Sequence, residues 1–189
     1  MTDLTPVLRA AEARDPQGAA QLLPLMYEEL RRSAAQKLAH QPAGQTLQPT
    51  ALVHEAFLKL LANPARTWES RRHFFAAASE TMRHILVDRA RSKAAVRHGG
   101  ALLRVDLADI NLAADSAGES VLALSDALER LAAHDAEAAE LVRLRFFGGF
   151  TFAQAAELLG VSERTAKRTW AYARAWLYEH LRAGGCPAA

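Results

Sequence analysis

The chain has 189 residues, 50% of them hydrophobic, which is enough to bury the core of one domain or of two small ones. Its net charge is only +2, and its single cysteine, Cys186, excludes an internal disulfide framework and a CxxC metal site. Because it shows neither a signal peptide nor an apolar stretch of membrane length, we expect a soluble, cytoplasmic protein without membrane insertion.

Alanine and leucine dominate the composition, β-branched runs are absent, and the 10 glycines and 7 prolines cluster in a few places. This composition predicts an all-α fold with long helices. No glycine-rich nucleotide loop, nucleophile elbow or paired metal ligands occur, so we expect no enzyme, no cofactor and no metal.

The small net charge conceals a strong charge pattern along the chain. Residues 70–104 carry eight Lys and Arg against two Asp and Glu, whereas residues 105–159 carry three against ten. Residues 160–189 are basic again, with five against two. Because a polyanion interacts with local surfaces, this pattern predicts two separate nucleic-acid contacts with an acidic segment between them.

Two helices are predicted in the first third of the chain. One opens at Pro16, a residue that suits the first helical position, and runs to about residue 40. After a loop at 41–49 rich in Pro, Gly and Gln, a second helix is predicted at 50–61 with Thr50 as its N-cap. The residues expected to face the core are Leu52, Phe57, Leu60 and Leu61, and those expected on other faces are Val53, His54, Glu55 and Lys59.

A basic helix is predicted over residues 70–97, with Ser70 as a candidate N-cap and Phe74, Met82 and Ile85 on its buried stripe. Basic side chains over this length, with aromatic residues at the start, suit a phosphate backbone with bases stacked at one end. The candidate nucleic-acid contacts are Trp68, Arg71, Arg72, His73, Arg83, Arg89, Arg91, Lys93 and Arg97. The alternative is a solvated cationic face, with Trp68 in the core.

An acidic linker is predicted at 99–120, and helical periodicity resumes from residue 121, with Leu124, Leu128 and Leu131 on one face. The chain would then comprise two small helical domains, at 16–98 and 121–182.

The stretch 150–177 has the layout of a helix-turn-helix. Gly160 can close the first helix in a left-handed conformation, and Ser162 can cap the second. The first two turns of the second helix carry residue types that read base edges or contact phosphates: Ser162, Arg164, Thr165, Lys167 and Arg168. Trp170 and Trp176 are expected to lie in the core beneath this helix. The alternative is an ordinary helical hairpin with a solvated basic face.

In combination these segments resemble the bacterial RNA polymerase sigma factors of the compact extracytoplasmic-function (ECF) type, which keep conserved regions 2 and 4. The stretch LVHEAFLKLL resembles region 2.2, HFFAAASETMRHILVDRARSKAAVRHGG resembles regions 2.3 and 2.4, and FTFAQAAELLGVSERTAKRTWAYARAWLYEHL resembles region 4.2. Many relatives carry an acidic run before the region 2.2 helix, where this chain reads QPTALVHEAF. The three motifs stand in the family's order and cover about residues 16–182.

The resemblance implies a factor that binds core polymerase and directs it to promoters. The helix at 50–61 would dock on the clamp of the largest subunit through Leu52, Glu55, Phe57 and Lys59, and the flap region is a further expected contact. Residues 68–97 would recognise and help melt the −10 element, and the helix-turn-helix would read the −35 element. The acidic linker would lie in the RNA path of the polymerase. Whether an anti-sigma factor or a kinase regulates the chain stays open.

Two other functions remain open at this stage. One is a helix-turn-helix regulator that binds duplex DNA without core polymerase, like a response-regulator output domain. The other is a helical adaptor that uses its acidic linker for protein contacts and never binds DNA. Steep loss of DNA affinity with rising salt would favour the DNA-binding readings.

Overall fold

The computed structural model describes residues 16–38, 49–62, 68–96 and 119–184, and these ranges contain helices and no strand, which confirms the all-α prediction. Residues 41–48 of the loop predicted at 41–49, residues 99–118 of the linker predicted at 99–120, Arg97 and Cys186 lie outside the described residues. The helices are α1 Pro16–Leu38, α2 Pro49–Leu61, α3 Arg71–Val96, α4 Glu119–His134, α5 Ala136–Val142, a π-helical segment Arg143–Phe147, α6 Phe152–Leu159 and α7 Glu163–Gly184. None of the described helices is long and apolar enough to cross a membrane.

Helix α2 lies between α1 and α3, and its packing corrects part of the sequence-based orientation. Val53 was expected on an outer face but is fully buried, whereas Leu61 was expected in the core and is 38% exposed. The buried stripe consists of Val53, Ala56 and Leu60, spaced by three and four residues. Because α2 is covered by neighbours on both sides, the stripe turns toward Val53 and leaves Leu61 at the rim.

Helix α3 begins where the sequence predicts, and three residues of its predicted apolar stripe are buried. The Ser70 hydroxyl accepts a hydrogen bond from the backbone N–H of His73 at 3.1 Å, which is the geometry of an N-cap. Phe74, Met82 and Ile85 are fully or almost fully buried on one face. Thr50, in contrast, lies inside α2, because that helix already begins at Pro49, where the missing N–H of proline costs nothing.

The helices α4 to α7 form the C-terminal half of the chain, and α1 to α3 form the N-terminal half. In the C-terminal half, the predicted face of Leu124, Leu128 and Leu131 is fully buried. Asp135 separates α4 from α5, and its carboxylate accepts a hydrogen bond from the Ala138 N–H at 2.9 Å. This cap allows the chain to turn sharply between two helices that both pack on α7.

The segment that precedes the helix-turn-helix packs into the N-terminal half. The Phe150 ring is fully buried, with its centroid 5.0 Å from that of Phe75 on α3. Gly149 has φ +74°, and a Cβ added there would lie 2.5 Å from the carbonyl oxygen of Ser33 on α1. Only a glycine permits this close approach of the two backbones. The two halves therefore share one continuous hydrophobic core in this arrangement.

Candidate nucleic-acid interface

The first helix of the helix-turn-helix, α6, is fixed at both ends by local chemistry. Thr151 and Gln154 form a capping box: the Thr151 hydroxyl accepts from the Gln154 N–H at 3.3 Å, and the Gln154 side chain accepts from the Thr151 N–H at 2.9 Å. At the other end Gly160 adopts the left-handed conformation, with φ 70° and ψ 28°, as the sequence predicts. These ends leave a tight turn of three residues before α7.

The second helix, α7, is capped by Ser162. Its hydroxyl accepts a hydrogen bond from the Thr165 N–H at 3.1 Å and lies 2.8 Å from the Thr165 hydroxyl. Two of the predicted −35 residues therefore hold each other at the helix start. Beneath them, Ala166, Trp170 and Ala173 are buried against α6 and the rest of the C-terminal half. This packing fixes the direction in which the first two turns of α7 face.

Three basic residues project from the first two turns of α7 into solvent. Arg164, Lys167 and Arg168 are all exposed. The Lys167 Nζ lies 2.7 Å from a carboxylate oxygen of Glu163, one turn earlier. Exposed pairs of this kind contribute less than about 1 kcal/mol, so a phosphate or base edge can displace the carboxylate. An exposed helix start with three cations suits insertion into a major groove.

Arg145 contacts both helices of the helix-turn-helix. The sequence analysis did not single out this residue. Its guanidinium carbon lies 3.7 Å from the ring centroid of Phe152 and 5.1 Å from that of Trp170. Its Nη1 also donates to the carbonyl oxygen of Phe150 at 3.0 Å. One side chain thus joins the π-helical segment to both helices of the motif. The sequence carries no local signal for this role, because the three partners lie five to 25 residues further along the chain.

At the start of α3, two of the predicted −10 residues hold carboxylates of other helices. Arg72 donates to both carboxylate oxygens of Glu140 on α5, at 2.9 and 2.5 Å. This hydrogen-bonded pairing raises the pKa of Arg72 above its ordinary value. Arg71 pairs with Glu29 on α1 and, at 2.7 Å, with Glu157 on α6. Both guanidinium groups are therefore occupied in this arrangement.

Arg83 was expected on the exposed face of α3, but only 4% of the residue is exposed. It pairs with Glu80 one turn earlier and with Glu129 of α4, each at 2.5 Å, and it donates to the Ser125 hydroxyl. The physical reason for the burial is that α4 packs across this part of α3. The helical period of the sequence shows which residues share a face of α3, but it does not show that another helix covers the polar face.

Glu80 is the centre of this charged cluster, and its neighbours shift its pKa. Burial raises its pKa, but the hydrogen bond from Arg83 and the positive charges of Arg83, Arg143 and His84 outweigh burial, so the pKa lies below its ordinary value. Burial also lowers the pKa of Arg83, and its pairing with Glu80 and Glu129 outweighs this, so that pKa lies above its ordinary value. Both side chains are therefore charged at neutral pH.

Trp68 lies at the base of α3 and is half-buried. Its ring centroid is 5.0 Å from that of Phe74 and 5.6 Å from that of His73. One edge therefore packs on the core, as the default interpretation predicted, while part of the indole reaches the surface beside the basic helix. Of the remaining predicted −10 residues, Arg91 is exposed, and the Lys93 side chain and Arg97 lie outside the described part.

The predicted polymerase-docking residues of α2 divide between core and surface. Leu52 is buried, and Phe57 packs edge-on against Tyr27 of α1 with centroids 5.0 Å apart. Glu55 pairs with Arg89 of α3 and lies 3.6 Å from Lys59. The residues of α2 with large exposed apolar side chains are Leu58, at 55%, and Leu61, at 38%. The sequence analysis did not single out Leu58.

Among the described residues, no group of three or more His, Cys, Asp and Glu side chains could hold a metal ion. The chain was also compared with known proteins. The model of one protein family, described as ECF sigma factor, matches residues 1–183. No curated protein and no solved structure matches the chain significantly. The match spans both described halves and the segments between them.

Proposed function

The chain belongs to the ECF sigma factor family, and from that premise we propose that it reads promoters at two points, with α7 on the −35 element and α3 on the −10 element. Membership implies binding to core RNA polymerase and promoter-directed initiation of transcription. It identifies the protein as a transcription initiation factor rather than a known kind of enzyme. We also propose which residues make each of these contacts.

The exposed start of α7 is the observation that carries the proposal. Arg164, Lys167 and Arg168 project from a helix whose cap and buried face are fixed by Ser162 and Trp170. A rigid scaffold with three solvated cations supports a role for these side chains at base edges and phosphates of a duplex. Thr165 and the Ser162 hydroxyl would contact the adjacent backbone.

For the −10 element, we assign recognition to the region from Trp68 through α3. The half-buried indole of Trp68, next to His73, offers an aromatic surface for an unpaired base. The arginines and lysine of α3 would neutralise the phosphates of the opened strand. These are Arg71, Arg72, Arg89, Arg91 and Lys93, with Arg97 next in the sequence, whereas the buried Arg83 would support α3 from within.

For the polymerase, we assign docking on the largest-subunit clamp to α2. The outer face of this helix presents Leu58 and Leu61 beside the charged pair Glu55 and Lys59, which is the mixed character of a helical docking surface. Phe57 would extend this surface, whereas Leu52 would support the helix from the core. A contact between the C-terminal half and the flap region completes the proposal, with domains at 16–98 and 121–182.

The segment between the halves, at 99–120, carries four Asp and Glu against one Arg. We propose that it lies in the RNA path of the polymerase, where carboxylates can occupy the place of RNA phosphates. Most of this segment lies outside the described residues, so its sequence alone supports the assignment.

A reconstituted run-off transcription assay tests the proposal. Core polymerase with the full chain should produce a defined transcript from a cognate promoter, which is first selected from a random promoter library by the holoenzyme. The triple variant Arg164→Ala, Lys167→Ala and Arg168→Ala should lose most of this product, because it removes the three exposed cations of α7. A matched control is Arg174→Ala, an exposed arginine further along the same helix. If the wild-type chain neither binds core polymerase nor yields a transcript, the proposal is wrong.

A further inference from the structure

Glu163, the first residue of α7, is the one acidic residue of the stretch 162–169. Its side chain is 47% exposed, and it stands among the cations Arg164, Lys167 and Arg168, which are proposed to contact the −35 duplex. A carboxylate in this place is repelled by DNA phosphates. It therefore weakens the binding of α7 to DNA of any sequence, unless a group in the duplex donates a hydrogen bond to it.

The chemistry of the helix start accounts for little of this carboxylate. Ser162 already caps α7, because its hydroxyl accepts a hydrogen bond from the Thr165 N–H at 3.1 Å. The helix dipole and the ion pair with Lys167 both favour an acidic side chain at this position. Both effects are small at an exposed site, since water and salt screen them.

The pairing of Glu163 with Lys167 is broken when α7 binds DNA. The Lys167 Nζ lies 2.7 Å from a Glu163 carboxylate oxygen and 6.0 Å from the ring centroid of Phe152, the first residue of α6. Once this ammonium turns to a phosphate or to a guanine, the carboxylate has lost its cation. The N-terminal end of a recognition helix lies against base edges, so the replacement donor has to come from a base.

Two kinds of amino group are available in the major groove, on cytosine and on adenine. The adenine N6 amino group stands beside the acceptor N7, whose lone pair repels a carboxylate. The cytosine N4 amino group has no acceptor beside it on the same base, and carboxylates of Glu and Asp accept from it. The side chain of Glu163 therefore fits a cytosine and rejects the other bases.

We propose that Glu163 determines specificity for the −35 element: it accepts a hydrogen bond from cytosine N4 at one position and weakens binding to every other sequence by its charge. The inference rests on the proposed function, because it assumes that α7 enters the major groove. Specificity is a ratio of affinities, and a group that repels the wrong partner raises this ratio as effectively as one that attracts the right one. The cations of α7 supply affinity, and Glu163 restricts it to one kind of site.

The first test compares base preferences. Holoenzymes with the parent chain, Glu163→Gln or Glu163→Ala select promoters from a library that is randomised at the −35 element. The matched control is Glu179→Gln, because Glu179 is an exposed carboxylate further along the same helix. We expect the parent and the control to select cytosine at one position, with at least about fivefold weaker binding when that base is changed.

The two replacements at position 163 should differ from each other at that base. Glu163→Gln should shift the preference to adenine, because a glutamine amide can accept from N6 and donate to N7 at the same time. Glu163→Ala should show no preference there, since it offers neither a donor nor an acceptor. The preferences at the other positions of the element should stay as in the parent, because Arg164 and Arg168 are unchanged.

The second test measures binding of the same holoenzymes to a promoter duplex with a scrambled −35 element over a range of salt concentrations. Glu163→Gln should bind this duplex more tightly than the parent, because the repulsion of phosphates is removed. The plot of log affinity against log salt should also become steeper by about one, since Lys167 is released to contact a phosphate. The same replacement in a Lys167→Ala chain should not steepen it.

Either of two results would overturn the role of Glu163. One is that both replacements keep the parent's base preference at every position of the −35 element, and the other is that Glu163→Gln binds the scrambled duplex no more tightly than the parent. Denaturant unfolding checks that the variants fold, and the Ser162 cap is intact in both. A parent holoenzyme that selects no −35 sequence contradicts the promoter-reading function itself. Selection by the parent with unchanged variants contradicts this inference alone.

Discussion

The guanidinium carbon of Arg145 lies 3.7 Å from the ring centroid of Phe152, and the same guanidinium donates a hydrogen bond to the carbonyl oxygen of Phe150. This pair joins the π-helical segment to the first residue of α6. Because Trp170 of α7 lies 5.1 Å from the same guanidinium, the contact spans the whole helix-turn-helix. The orientation of the DNA-facing helix therefore depends on a residue that has no place in the motif itself.

Replacing Arg145 tests this dependence. Arg145→Ala should lower the free energy of unfolding by about 1–3 kcal/mol, because it removes a cation–π contact and a hydrogen bond to a buried carbonyl. Arg145→Met keeps much of the apolar contact and should lose less. Denaturant unfolding followed by tryptophan fluorescence measures both changes. Arg164→Ala, an exposed arginine of the same half, is the control, and a loss as large as that of Arg145→Ala would contradict the bridging role.

The second prediction separates the capping role of Ser162 from a DNA contact. Ser162→Ala should lower the free energy of unfolding by about 1 kcal/mol, because the Thr165 N–H loses its acceptor. Ser162→Asp preserves the cap and should retain the stability of the parent chain. A carboxylate at the same position repels phosphates, so Ser162→Asp should nevertheless bind duplex DNA more weakly. Unfolding and duplex binding are measured on both variants, and equal DNA affinity of parent and Ser162→Asp would place Ser162 outside the interface.

How far the sequence predicts the structure depends on the range of the interactions. Helix ends such as Ser70, Gly160 and Ser162 were predicted correctly, because capping chemistry involves residues within about four positions of one another. The burial of Arg83 was not predicted, since it requires knowledge of which helix packs across α3. The approach of Gly149 to Ser33 was also missed, although two adjacent glycines between phenylalanines are a signal of close backbone contact.

In the candidate site too, features that depend on short-range interactions were predicted from the sequence, and features that depend on long-range contacts were not. The exposed cations of α7 follow from the helical period and from the turn that precedes it. The engagement of Arg71 and Arg72 by Glu157 and Glu140 does not, since these partners lie 86 and 68 residues away in the chain. The charge pattern indicated that basic and acidic segments both exist, but only packing brings them together. Long-range ion pairs need a fold before they can be assigned.

The third prediction concerns the dependence of the free energy of unfolding on pH. The pKa of Glu80 in the folded chain lies below its ordinary value, so ionised Glu80 stabilises the fold at pH above the unfolded value of about 4.3. This stabilisation is lost as the pH falls through the folded pKa. Glu80→Gln should therefore be less stable than the parent at pH 7, and the difference should shrink below about pH 4. Denaturant unfolding from pH 7 to pH 3 measures it. Glu179→Gln, at an exposed position, is the control, and a difference that does not depend on pH would contradict the coupling.

The last prediction asks whether α7 reads bases or only follows the phosphate backbone. Arg164 is exposed in the first turn and forms no salt bridge within the described residues, whereas Lys167 already pairs with Glu163. Arg164→Ala should therefore weaken holoenzyme binding to a promoter duplex by about 1–3 kcal/mol and should have a smaller effect on a duplex with a scrambled −35 element. The control is Arg174→Ala, because Arg174 is an exposed arginine further along the same helix. Equal losses on both duplexes would assign Arg164 to phosphate contacts, because such contacts act evenly on all sequences and lower the salt dependence of binding instead.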